Sequence, residues 1–322
     1  MTKTRIVFVL VPAVLFAGSL FSRGSGTIPG VSSIPSDAAR NTPSCTGCHS
    51  GTVGASGAAT SMTIAQVSLA MNEVAQVTIQ VSGGPSGTRG GFAAENSGGA
   101  FAAGSTSHIN TTGRIGQFIT HNNASNRTWA FPYTASATPG LYLLYTVGMA
   151  ANNSSSTSGD VIAFNGFDAT ATVCTPVYVG VNATGNQRFG QGCRGSYGNY
   201  PVLYSDVVPS VGNASYALKL AGAAASSNAL FLIGTPRATP LDLGLIGATG
   251  CSLWVDPLAS MSTTTSAGHP QRGEGTATQG LAIPNTTSLR GAILAAQCAI
   301  VDPANGRGLP ITMSDGLLFQ IQ

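Results

Sequence analysis

Thr128-Trp-Ala-Phe-Pro-Tyr-Thr134 places an aromatic residue at every second position: Trp129, Phe131 and Tyr133. Side chains two apart lie on the same face of an extended chain, so the stretch predicts a strand with one buried face. Upstream, Val77, Ile79 and Val81 alternate with polar partners in the same way. Downstream, Gly140-Leu-Tyr-Leu-Leu-Tyr-Thr-Val-Gly-Met-Ala150 is more continuously apolar, as a central strand covered on both faces would be. Turn-forming runs separate these segments: Ser82-Gly-Gly-Pro85, Thr138-Pro-Gly140 and the Asn/Ser-rich residues 152–159. No stretch carries a capped helical stripe. The fold class expected is all-β, built as a β-sandwich.

The chain has 322 residues, enough for two domains of ordinary size. Charged residues make up 8 % of it, against about 25 % in a typical soluble domain. Gly, Ser, Thr, Ala and Asn fill the surface positions instead, a composition of secreted β-rich proteins. The formal charge of +3 comes from the N-terminus: removing Lys3, Arg5 and Arg23 from the fourteen basic residues leaves eleven against eleven acidic. No basic patch interleaved with aromatics occurs, which argues against nucleic acid.

Residues 1–25 read as an export signal, with basic Lys3 and Arg5 ahead of an apolar run over 6–21. That run is short for a spanning helix and is interrupted by Pro12, so membrane contact is expected only if the segment stays uncleaved. The expected location is exported: periplasmic, cell-surface or extracellular.

Cys45-Thr-Gly-Cys48-His49 matches C-x-x-C-H, the attachment sequence for c-type haem. Two thiols at this spacing reach the two vinyl groups of one porphyrin, and the adjacent imidazole then lies under the iron. A short-loop disulfide is the alternative. A four-ligand zinc site would need a second C-x-x-C or a nearby H-x-x-x-H, and the chain has neither. The motif sits in the Gly/Ser/Thr/Pro-rich residues 26–60, hence on a loop or one short turn. The remaining cysteines, Cys174, Cys193, Cys251 and Cys298, are compatible with two disulfides in an oxidising compartment. Four cysteines allow three pairings and the sequence selects none; Cys193–Cys251 is preferred.

Residues 41–173 carry Cys45–Ser50, Arg89-Gly-Gly-Phe92, Ile119-Thr-His121, Trp129-Ala-Phe131, and Tyr145 through Ala150-Ala-Asn152 to Ser158-Gly-Asp160. In this order and spacing they resemble the reelin-like (reeler-type) domains of bacterial surface proteins, in which a C-x-x-C-H-S precedes a β-sandwich. The resemblance implies an immunoglobulin-like sandwich and an extracytoplasmic location, and no biochemical activity. One departure is Met149, where an asparagine is expected. From about Thr175 the composition shifts. Gly190-Gln-Gly-Cys-Arg-Gly195, residues 242–251, 281–285 and 296–302 are similar to a C-terminal β domain of secreted planctomycete-type proteins, which implies a second sandwich. The expected organisation is therefore signal 1–25, haem-motif loop 26–60, first sandwich 61–173 and second sandwich 174–322.

A haem iron held by His49 needs a second axial ligand or an open position. His121 is the choice, because it ends a strand expected over 116–121 and a strand end at the rim can point an imidazole towards a loop-borne haem; a histidine hydrogen-bonded at the sandwich edge is the alternative. Met62, Met71 and Met149 are runners-up, the first two expected in the core. His108 is expected to be solvated in a loop and His269 exposed. Asp160 and Asp168 could bind calcium but are better read as loop caps. Residues 190–195 fit G-x-G-x-x-G yet lack the strand and helix of a dinucleotide fold. No Ser/His/Asp set, carboxylate pair or H-E-x-x-H stands out. The expected function is an exported single-haem c-type electron carrier rather than an enzyme, with haem c as cofactor and a redox partner or extracellular acceptor. Alternatives are a non-redox surface or adhesion protein, self-assembling or homo-oligomeric, and a haem enzyme or gas sensor with an open distal position.

Overall fold

The computed structural model describes residues 57–110, 116–154, 158–166, 174–268 and 273–322. The export segment, Cys45, Cys48, His49, Asp168 and His269 lie outside them. The described chain is all-β, with three short 3-10 turns. Among the described residues no helix is long and apolar enough to cross a membrane.

In the first unit, Ala59–Ile64, Val74–Ser82, Thr128–Thr134 and Ala100–Phe101 form one sheet in that order. Val77 pairs with Phe131 and Ile79 with Trp129. Both alternating runs therefore turn the same face inward. Opposite them lies a larger sheet in the order Ser68–Ala70, Val177–Asn182, Gly140–Ala150, Gly90–Asn96, Phe118–His121, Ser107–Asn110, with Val161–Phe164 also on Gly140–Ala150. Phe92, Ala94, Ile119, Leu144, Val179 and Val181 from this sheet bury against the first. Phe92 stacks on Phe131 with ring centroids 5.7 Å apart and meets Trp129 at 5.0 Å.

Pro132 sits inside Thr128–Thr134 without breaking it. Its carbonyl accepts from the Ala102 N–H at 2.9 Å, so its nitrogen faces the two-residue strand Ala100–Phe101 and not the long ladder with Val74–Ser82. A proline is tolerated where no ladder donor is needed.

The second unit pairs Asn186–Phe189, Gly316–Gln320, Ile293–Val301, Asn228–Asp242 and Ser252–Thr264 in one sheet, and Val202–Tyr204, Ala217–Ala223 and Gly275–Gly280 in another. Leu203, Leu218 and Leu220 of the small sheet meet Phe231, Ala296, Ile300, Leu317 and Phe319 of the large one. Cys193 and Cys251 form a disulfide across 58 residues. The expectation of two disulfides is corrected: Cys174 and Cys298 are not bonded to each other, because they lie buried in different cores.

Val177–Asn182, which the sequence reading assigns to the second unit, is hydrogen-bonded into the large sheet of the first, antiparallel to Gly140–Ala150 and parallel to Ser68–Ala70. The chain then passes directly into the second unit. Asn182 braces the passage: its amide nitrogen donates to Ser68 Oγ at 2.8 Å and its oxygen accepts from the Ser205 N–H at 3.0 Å. Gly180 lies under Tyr204, where a Cβ would come within 2.7 Å of that side chain. Arg188 Nη2 reaches Glu73 Oε1 at 3.2 Å across the same junction.

Candidate functional site

Of the stretches that carry the reeler-type resemblance, Arg89–Phe92, Ile119–His121 and Ala150–Asn152 meet at one end of the first sandwich. Arg127, which the sequence reading did not single out, gathers them. Its Nη1 donates to the Gly83 carbonyl at 2.8 Å, its Nη2 to Pro85 and Ala151 at 2.9 and 3.0 Å, and its Nε to Arg89 at 2.9 Å. One planar guanidinium, with five donors in a fixed fork, thus joins three chain segments through their backbones. Such a role leaves no pattern in sequence, since the acceptors are carbonyls that every residue has.

The glycine pair of Arg89-Gly-Gly-Phe92 is explained here. A Cβ on Gly90 would lie 2.8 Å from the Met149 carbonyl and 3.0 Å from Arg127 Cγ, and one on Gly91 would lie 2.5 Å from His121 Cε1. The glycines let the arginine and the histidine approach the strand closely. His121 is 2 % exposed. Its ring lies 6.2 Å from those of Phe92 and Trp129, and its Nδ1 is 3.1 Å from the Phe92 nitrogen and 3.2 Å from the Phe92 carbonyl oxygen. The strand expected over 116–121 forms as Phe118–His121. Its terminal imidazole is packed and bonded to backbone instead of standing out at the rim.

Asp160 caps the neighbouring loop, accepting from the Asn152 N–H at 2.9 Å, while Asn152 donates to Ser158 at 2.9 Å. Among the described residues no three His, Cys, Asp or Glu side chains are gathered as a metal site. His108 is paired opposite Thr120 in Ser107–Asn110 and is half-buried, so the solvated-loop expectation is corrected. Met62 is buried in the core and Met71 packs against it, as expected; Met149 packs on the other face of the large sheet, beside Ile162 in register.

The described chain begins at the same end. Gly57 abuts Gly83, and Ala58 packs by Gly84, whose neighbours are also Ala150 and, through Gly83, Arg127. His49 is eight residues ahead of Gly57. Eight residues of extended chain span at most about 29 Å.

No family model matches the chain, and no curated protein matches it. Among solved structures, the human F-spondin reeler domain is 12 % identical and covers 41 % of this chain and 95 % of its own, with a TM-score of 0.30. A second structure, the Reelin-N domain of F-spondin, matches at 12 % identity, 41 % and 93 % coverage and a TM-score of 0.30. A cohesin–dockerin complex from Clostridium thermocellum matches at 11 % identity, covering 33 % of this chain and 99 % of that one, with a TM-score of 0.22.

Proposed function

We propose that this is an exported, single-haem c-type electron carrier of the cell surface or periplasm. The reading rests on one observation: a C-x-x-C-H motif behind an export-type segment, with His49 eight residues ahead of Gly57. The donor set fits the group chemically. Cys45 and Cys48 supply the two thiols for thioether attachment and His49 the adjacent imidazole. Haem held this way would supply a one-electron iron couple, and the protein would tune it through axial ligation and burial. His121 is proposed as the second ligand. The Phe92 N–H donates to Nδ1 at 3.1 Å, which puts the proton of the neutral ring on Nε2, so ligation through Nε2 requires the proton to move to Nδ1 and that hydrogen bond to be exchanged for one to the Phe92 carbonyl at 3.2 Å.

The second reading is a non-redox surface or adhesion protein. It is favoured by the packing of His121, whose ring is enclosed beside Phe92 and Trp129 like any structural core histidine. Expression of the full chain with a c-type maturation system separates the two. A covalent haem in the pyridine haemochrome spectrum, reversibly reducible and six-coordinate, is the expected outcome. His121→Gln should then convert it to a five-coordinate, carbon-monoxide-binding form. A folded but colourless protein would overturn the electron-carrier reading.

A further inference from the structure

Between the two units, beside Asn165, lies a cleft of about 180 Å³. Its walls are the edge strand Ala59–Ile64 and the loop Arg194-Gly-Ser-Tyr-Gly-Asn-Tyr200, with Tyr178 at its base. Tyr178 and Asn199 are buried, Tyr197 and Tyr200 half-buried and Arg194 exposed. The Arg194 guanidinium carbon sits 5.5 Å from the centre of the Tyr200 ring, so the cation is held beside the cleft. Among the described residues no aspartate or glutamate lines it.

We propose that this cleft binds an acidic sugar residue, a uronic-acid unit of an extracellular polysaccharide. Three features point to that chemistry. First, tyrosines offer amphipathic walls on which a pyranose ring packs while their hydroxyls reach its polar rim. Second, the charge among the described lining residues is a guanidinium, with no carboxylate beside it there, and guanidinium pairs with carboxylate in a two-point geometry. Third, the size is right for one ring. At ~10–15 Å³ of cavity volume per water, 180 Å³ holds at least roughly a dozen waters, about the heavy-atom bulk of one hexose derivative.

An extended peptide adding to the edge strand is the competing occupant, and the backbone disfavours it. Two outward groups at the start of Ala59–Ile64 are already used: the Thr60 carbonyl accepts from the Gly166 N–H at 3.2 Å and the Met62 N–H donates to Asn165 Oδ1 at 2.7 Å. Asn165 and Gly166 thus occupy the Thr60–Met62 part of the edge, which shortens the ladder open to an incoming strand. The proposal does not depend on haem.

The test is calorimetric titration of the full chain with galacturonic acid and its disaccharide, with galactose as the neutral match. Kd on the order of 1 mM is expected for a ligand with about a dozen heavy atoms. Galactose should bind at least about tenfold more weakly, because it lacks the carboxylate. Arg194→Gln should remove that discrimination, and Tyr197→Ala should weaken both sugars. Arg194 is exposed, so its replacement leaves the fold intact, checked by an unchanged melting curve. Equal binding of both sugars, binding unaffected by Arg194→Gln, or no binding at 20-fold above the expected Kd would each overturn the assignment. So would displacement of the sugar by unrelated extended peptides.

Discussion

Asp315→Asn is predicted to stabilise the protein at neutral and alkaline pH and to leave it unchanged near pH 4. Asp315 is buried beneath the second unit's small sheet, where its Oδ1 accepts from the Leu203 N–H at 2.9 Å. Its Oδ2 is buried with no hydrogen-bond partner among the described residues, as is Nε of Arg188. Burial pushes the carboxyl up to about 7, and the Leu203 hydrogen bond and the Arg188 charge only partly offset this. In the unfolded chain an aspartate titrates near 3.9. Below about pH 4 both states are protonated and no cost arises. Between 4 and 7 the unfolded state ionises while the folded state must stay protonated, so stability falls as pH rises; above 7 the loss is complete. Three pK units at 1.36 kcal/mol each give about 4 kcal/mol. Asparagine keeps the Oδ1 acceptor and carries no charge, so the variant should gain that amount above pH 7. At 2–4 °C per kcal/mol this is roughly 8–16 °C in Tm. Thermal melts of both proteins from pH 4 to 8.5 read the difference. Parallel curves, with the same offset at every pH, would refute the reasoning, because only a proton taken up by the folded state makes the difference depend on pH.

Gly91→Ala should cost about 1–3 kcal/mol, since the new methyl meets His121 Cε1. His121→Ala in the same chain should recover part of it, so denaturant unfolding of the two singles and the double should give a coupling of relieving sign; strict additivity would contradict the contact. Breaking the Cys193–Cys251 link as Cys251→Ser should cost about 4 kcal/mol by loop-closure entropy over 58 residues, read as a lower denaturation midpoint. Cys298, fully buried with its thiol pushed well above the usual range by desolvation, should stay silent to thiol reagents until the protein unfolds.

The first sandwich was largely legible because the strands of its smaller sheet bury one face each, and Trp129, Phe131 and Tyr133 announce that face by their spacing. Asn228–Asp242 and Ser252–Thr264 were legible only in part. Their apolar centres around Phe231 and Val255 stand out, but the halves beyond Gly234 and Val255 are largely exposed, and the register shifts at Ile233/Gly234 and Pro236/Leu241. A ribbon wet on both faces has no alternation to read. Ser68–Ala70, three residues long, is too short to show a period, and its parallel partner Val177–Asn182 follows a Thr-Pro break that looks like a boundary. Of the candidate site, the cysteines and histidines were legible as residue types. Arg127 and the Arg194–Tyr200 cleft were not, because both arise from segments that only folding brings together.

The strand Val177–Asn182 has a mechanical consequence. It is held on both sides, by Gly140–Ala150 and by Ser68–Ala70, and the chain leaves it at Asn182 straight into the second unit. Tension applied through the C-terminal unit is therefore directed along the strand. Its hydrogen bonds are loaded together in shear, not opened one at a time like a zip. The join between the two halves therefore resists extension, where a flexible linker would have yielded.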